Sequence, residues 1–260
     1  MQTTPLALLV ALSTLGNALA IDSPVQSGAR PYDLDIAAPV QMAGSDAAAA
    51  NFQATALPSF TAIFNDSLSA ARASNPFSAV ALDPSKLTLS SDSNVRVYFV
   101  GEGAGYRNTL GFATTGGGVT GSNAALIFPD ASTWGNERYG WAPLSPGDFV
   151  DLGTLKAGSA LDFFLIADGA MGGKEVYTTN QSDNRDGLAH AAVLAPDGSP
   201  FLLFGFEDML GSGNSRFNDV VFAVEITKAN GAGLAAPEPS LAFGGVFAAL
   251  AFGLHRRRRA

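Results

Sequence analysis

The chain has 260 residues, 47% of them hydrophobic, with 29 glycines and no cysteine. That length can bury a full core; without cysteine, disulfides and thiolate metal sites are excluded. Four of the 15 basic residues are Arg256, Arg257, Arg258 and Arg259, and one of the 23 acids is Glu238. This leaves 11 basic against 22 acidic side chains between residues 21 and 236. Such a surface argues against nucleic acid as a partner, because phosphate backbones need Lys/Arg patches. It is compatible with divalent cations, and equally with solubility alone. Low Lys/Arg content with abundant Gly and Phe points to an all-β body rather than a helical bundle.

Residues 1–20 read as a secretory signal peptide: an apolar run over 6–15, then Ala18-Leu19-Ala20 as a small-x-small cleavage site. The stretch before that run has no Lys or Arg. Residues 21–85 form an N-terminal extension, starting as an extended lead-in over 21–44. Ser45 can cap a helix beginning at Asp46, and Pro58 suits the first turn of a second one. Phe60, Ile63, Phe64, Leu68 and Ala71 recur at helical spacing, so this helical hairpin packs one apolar face on the main domain. From Lys86 the period changes to two. Strands are expected over 94–100, 124–128, 148–152, 161–167, 189–195, 201–206 and 220–226, separated by Gly/Asn/Asp/Pro clusters. No helix-length pattern lies between them. The expected fold is therefore all-β: an antiparallel β-sandwich, jelly-roll-like, over 86–228, with a short N-terminal helical region.

Residues 229–236 read as a small-residue linker. Pro237-Glu238-Pro239 follows, then an apolar run over 241–254 and the four arginines. The run is a marginal membrane span, with the basic cluster on the cytoplasmic side. In that order and at the end of the sequence, these parts resemble the PEP-CTERM sorting signal of Gram-negative bacteria. The resemblance implies recognition by an exosortase-type processing protease and transient membrane anchoring through residues 237–260. Pro237, Glu238 and Pro239 would be recognition residues. The protein would then reach the cell surface or the extracellular polymer matrix.

Oxygen-ligand chemistry is densest between the last two predicted strands. Glu207, Asp208 and Asp219 offer carboxylates, Asn214 and Asn218 offer amide oxygens, and Gly211 and Gly213 permit sharp turns. Ca²⁺ takes about six to eight oxygen ligands. A hairpin whose Asp and Asn side chains bond their own backbone explains the same residues. A second loop, Ser182-Asp183-Asn184-Arg185-Asp186-Gly187, echoes the start of an EF-hand loop. Ser182 replaces the first Asp, Val193 stands where the closing Glu belongs, and no helices flank it, so Asn184 and Asp186 are left as a turn or a non-EF calcium loop. His190, alone outside the tail, reads as structural. No G-x-S-x-G elbow, Cys nucleophile or phosphate loop is present. A carboxylate pair such as Asp148 and Asp151 is the sole hydrolase-like feature.

Several blocks are similar to the domain of unknown function 4114 family. They are Glu102-Gly103-Ala104-Gly105-Tyr106, Asn108-Thr109-Leu110-Gly111, Pro146-Gly147-Asp148, Phe163 through Gly169, and Asp186-Gly187 with His190. The most specific are Gly205-Phe206-Glu207-Asp208 and Phe217-Asn218-Asp219-Val220-Val221-Phe222. The resemblance spans about residues 86–226. Family members carry an Asp-rich loop between the last two blocks, where Asn214 here replaces an Asp, so less charge is available to an ion. Members occur in exported and adhesin-like bacterial proteins. The reading that follows is an exported, nonenzymatic surface or matrix protein, with Ca²⁺ as its expected cofactor and extracellular polysaccharide or surface proteins as partners. A carbohydrate-active hydrolase is the alternative. Trp134, Tyr139 and Trp141 can stack sugars, or serve as core or loop anchors.

Overall fold

The computed structural model describes residues 26–66, 80–135, 137–211 and 216–235. Among the described residues, ten strands form two antiparallel sheets. They are β1 (Val80–Leu82), β2 (Ser93–Gly101), β3 (Thr109–Ala113), β4 (Ala125–Phe128), β5 (Phe149–Leu155), β6 (Asp162–Ala167), β7 (Glu175–Thr178), β8 (Ala191–Ala195), β9 (Phe201–Phe206) and β10 (Val220–Glu225). The larger sheet runs β1-β8-β9-β10-β2-β5 and the smaller β4-β3-β6-β7. The expected sandwich is what forms.

The core between the sheets takes one face of each. Val97, Phe99, Phe204 and Phe222 of the larger sheet meet Leu110, Phe112, Phe163 and Leu165 of the smaller. Phe163 packs its ring against Phe204 at 4.9 Å and Phe222 at 5.0 Å. The outer faces are covered as well. Tyr98, Phe149, Leu203 and Val221 lie under two helices, α1 (Ala47–Thr55) and α2 (Leu57–Asp66), which contribute Phe52, Phe60 and Ile63. Phe52 stacks on Tyr98 with 3.9 Å between ring centroids. On the smaller sheet, Leu126, Phe164 and Ile166, with Val176 beside them, are covered by Leu34 and Ile36 of the lead-in. Strands buried on both faces lose the period-two signature. β1, β3 and β7 were not among the expected strands, and β3 is buried at all five positions.

The described part of the lead-in, from residue 26, is irregular with one short 3-10 turn at Pro31–Asp33, and it straps the two sheets together. Ile36 bridges to Leu126 at the edge of the smaller sheet, and Gln41 bridges to Phe149 at the edge of the larger one. This covers two edges otherwise open to pairing with another chain.

Two local expectations are corrected. The first helix is capped by Asp46 rather than Ser45: Asp46 Oδ1 accepts the Ala49 N–H at 2.7 Å, and a carboxylate there also complements the helix dipole. Residues 229–236, expected as a linker, instead largely form α3 (Lys228–Ala235). Asn230 holds this helix to the body. Its buried Oδ1 accepts the Ser90 N–H at 2.9 Å and the Ser91 N–H at 3.1 Å, while Nδ2 donates to Ser91 O. The small side chains permit that close approach. Leu68 and Ala71 lie outside the described residues, as do the segments 1–20 and 237–260. No helix among the described residues is long and apolar enough to cross a membrane.

Candidate functional site at the loop end of the sandwich

Strand register brings five connections to one end. Gly101 pairs with Val221, Tyr98 with Phe149, Thr109 with Ile166, and Phe206 with both Ala191 and Val220. Loops 102–108, 129–148, 168–174 and 207–219 therefore emerge together, joined by residues 186–190 before β8.

The acidic hairpin is built by its own carboxylates. Glu207 is buried, and its Oε1 accepts the Phe217 N–H at 2.6 Å. Asp219 Oδ2 accepts the Asp208 N–H at 2.9 Å. Asp208 Oδ2 accepts from Asn108 Nδ2 at 2.8 Å, and Asn108 Oδ1 in turn accepts the Asp168 N–H at 3.0 Å. The fully buried Asn108 thus joins three loops. Asn218 meets loop 102–108 through its carbonyl, which accepts the Gly103 N–H at 3.0 Å. Burial pushes the Asp208 carboxyl up to about 6, and the charges of Asp219 and Glu207 add to the rise against the Asn108 hydrogen bond. Burial likewise lifts Glu102 to about 7, with Asp130 and Asp208 reinforcing it.

Asn184 and Asp186 close the neighbouring connection. Asn184 is buried, accepting the Thr178 N–H at 2.7 Å and donating to Leu188 O at 2.8 Å. Asp186 accepts the Gly211 N–H at 2.8 Å and the Leu188 N–H at 3.0 Å, and it faces His190 Nε2 at 3.0 Å. Burial raises the Asp186 carboxyl, but these hydrogen bonds outweigh it and hold the group at about 2. The other ring nitrogen of His190 faces Glu207 O at 3.2 Å, and the buried ring stacks on Tyr177 at 3.9 Å. His190 is a structural residue.

Among the described residues, no three His, Asp or Glu side chains stand close enough to hold a metal ion. The residues expected as ligands separate into two groups. Glu207, Asp208, Asn218 and Asp219 share the hairpin, whereas Asn184 and Asp186 are engaged in clamping the turn before β8. Asn214 lies outside the described residues. The hairpin thus carries out the backbone bonding that was one of its two readings, and a cation would have the adjacent Asp208 and Asp219 as its starting pair.

Two further features share this end. A cleft of about 450 Å³ at loops 168–174 and 207–219 is lined by Tyr106, Asp168, Lys174, Tyr177, Asp208 and Leu210 among others. Beside it, loop 129–148 is fixed at its base by Asp148. This fully buried carboxylate takes Arg138 through both oxygens (Nη2 to Oδ1 at 2.6 Å), the Ser145 N–H at 2.7 Å and the Ala43 N–H at 2.9 Å. Asp148 is therefore a structural anchor, and Asp151 pairs separately with Arg96 on the sheet surface. Above the anchor, Trp134, Tyr139 and Trp141 are exposed at 61%, 40% and 49%. Arg107 ties platform to cleft: its guanidinium pairs with Asp130, donates to Gly140 O at 3.0 Å and touches Met171, and its N–H meets Asp168. Arg107 and Arg138 were not among the candidate site residues, and Asn108, though in a family-like block, could not be tied to Asp208 100 positions away.

Fold and site together define a two-sheet β-sandwich whose loops at one end hold buried carboxylates and the exposed rings of Tyr106, Trp134, Tyr139 and Trp141. Residues 155–227 match the family model described as a domain of unknown function (DUF4114). The matched part runs from the end of β5 through β10 and contains the acidic hairpin and the Asp186–His190 clamp. The resembling blocks at 102–111 and 146–148 lie upstream of it. No curated protein and no solved structure matches the chain.

Proposed function

We propose that this is an exported, nonenzymatic binding domain of the cell surface or extracellular polymer matrix, engaging its partner through the loop end. The observation that carries the reading is the convergence of five loops whose buried carboxylates and ion pairs bond the backbone while four aromatic rings, Tyr106, Trp134, Tyr139 and Trp141, stay exposed. A pre-formed surface loses little entropy on binding. Export and exosortase processing are supported by the sequence of residues 1–20 and 237–260. The test is fractionation of cells producing the full chain. Wild type should be retained on the surface or matrix, a chain lacking residues 237–260 should be mislocalised, and a Trp134→Ala/Trp141→Ala double variant should be processed normally but shed into the medium. Retention of that double variant at the wild-type level would refute binding through the loop end.

Calcium belongs to this proposal as a stabiliser of the hairpin at Asp208 and Asp219. Its support is the mutual repulsion of two buried carboxylates, which a divalent cation relieves. Ligand bound only to the folded state raises the unfolding midpoint. Millimolar Ca²⁺ should therefore raise it by several degrees over EDTA in wild type and not in Asp219→Asn; no shift in wild type removes the metal.

The hydrolase alternative has one feature in its favour, the carboxyl of Asp208, which burial and its carboxylate neighbours push up to about 6, at a cleft. Turnover of a matrix polysaccharide, abolished by Asp208→Asn in a chain that still folds, would establish it.

A further inference from the structure

We propose that the loop end binds an uncharged, hydroxyl-rich polysaccharide, whose sugar rings lie on the Trp134–Tyr139–Trp141 platform and extend into the cleft beside Asp168 and Asp208. This rests on the binding reading above and names its ligand class.

Large rings exposed to water are expensive unless they are used. These three form one structure. Tyr139 and Trp141 are nearly parallel, at 6° and 5.3 Å between centroids, and Trp134 stands against Trp141 at 66° and 5.5 Å. Tyr139 donates its hydroxyl to Glu137, and two tight turns, Trp134 with Glu137 and Tyr139 with Ala142, set the backbone beneath. The Arg138–Asp148 pair fixes the base. Flat, rigid rings offer wide contact area at low entropic cost. They suit the C–H faces of a pyranose, whereas an apolar peptide is better met by an aliphatic pocket.

The cleft supplies the polar half. It has the volume of a small-ligand site, with carboxylates and one ammonium group, Lys174, to exchange hydrogen bonds with hydroxyls. Arg107 spans cleft and platform, so a chain of several sugar units can cover both.

Charge selects among polysaccharides. Arg107, Arg138 and Arg185 are each paired, with Asp130, Asp148 and Glu175. In the cleft Asp168 and Asp208 outnumber the one ammonium group, Lys174, and Glu137 beside the rings adds to them, so the binding side is net negative. A uronic or sulfated chain would meet like charge there.

The full chain is run in native gels cast with the neutral or the acidic fraction of matrix polysaccharide, separated by anion exchange, or with no polysaccharide. The expected result is retardation by the neutral fraction only. Trp141→Ala and Trp134→Ala should each weaken it about tenfold or more with no change in thermal midpoint, because both side chains are exposed. Retardation only by the acidic fraction, or undiminished retardation of both variants, overturns the proposal. Silence in every gel also overturns it; if cells still shed the double variant while the gels are silent, the binding reading survives and its partner is a protein.

Discussion

Replacing Asp148 by alanine tests how the loop end is held. The change removes a carboxylate that no water reaches and strands four donors: two from Arg138 and the backbone N–H groups of Ser145 and Ala43. Removing one partner of a buried pair costs about 3–5 kcal/mol, which includes the unmet donors at about 1–3 kcal/mol each where they stay buried. For a domain of this size about 1 kcal/mol shifts the midpoint by 2–4 °C, so the variant should melt roughly 10 °C lower. The protein has only two tryptophans, both on the loop above this anchor, so tryptophan fluorescence anisotropy reads that loop alone. It should fall in Asp148→Ala well below the melting temperature. Arg138→Ala should lose a similar amount, and the double variant should lose at least ~1 kcal/mol less than the sum of the two, since both remove one interaction. A loss under about 1 kcal/mol, or strict additivity, would refute the anchor.

Other outcomes follow from the same geometry. Gly111 lies opposite Phe164 in the β3–β6 register, and a Cβ there would stand 2.1 Å from the Phe164 ring; Gly111→Ala should cost about 3 kcal/mol, the upper end of overpacking, and a neutral result in denaturant melts would show that the ring moves freely. Glu102, raised to about 7, binds its proton more tightly folded than unfolded, so its contribution is present below about pH 4.5 and lost as pH rises through 7. Wild type should therefore lose about 1–2 kcal/mol relative to Glu102→Gln between pH 4 and pH 8, a value reduced for partial solvent screening; parallel pH profiles would contradict the burial of this carboxyl. Asp186 is depressed to about 2, so its contribution is present above the ordinary Asp range and lost as pH falls towards 2. Amide exchange at Gly211 and Leu188 should be faster in Asp186→Ala than in wild type at pH 7, and the difference should shrink in strong acid.

The sequence by itself determined the fold class and the position of the acidic hairpin. Alternation along β2 and the Gly/Asn/Asp punctuation between apolar runs suffice for two antiparallel sheets, because both signals are local. It also marked Glu207, Asp208 and Asp219 as a group, since a hairpin brings its two ends together. Strand β3 escaped because both of its faces are buried, which erases the period, and β7 because it is a four-residue edge strand, too short to show one. Tertiary structure alone decided what the carboxylates bond. Asn108 reaches Asp208 across 100 positions, Asp148 gathers Arg138 and Ala43, and Asp186 closes on Gly211. Spacing along a chain cannot encode such pairs, because a carboxylate that binds an ion and one that clamps a backbone amide need the same residue type in the same loop. Which of the two it does depends on which N–H groups the folded sheets deliver to it.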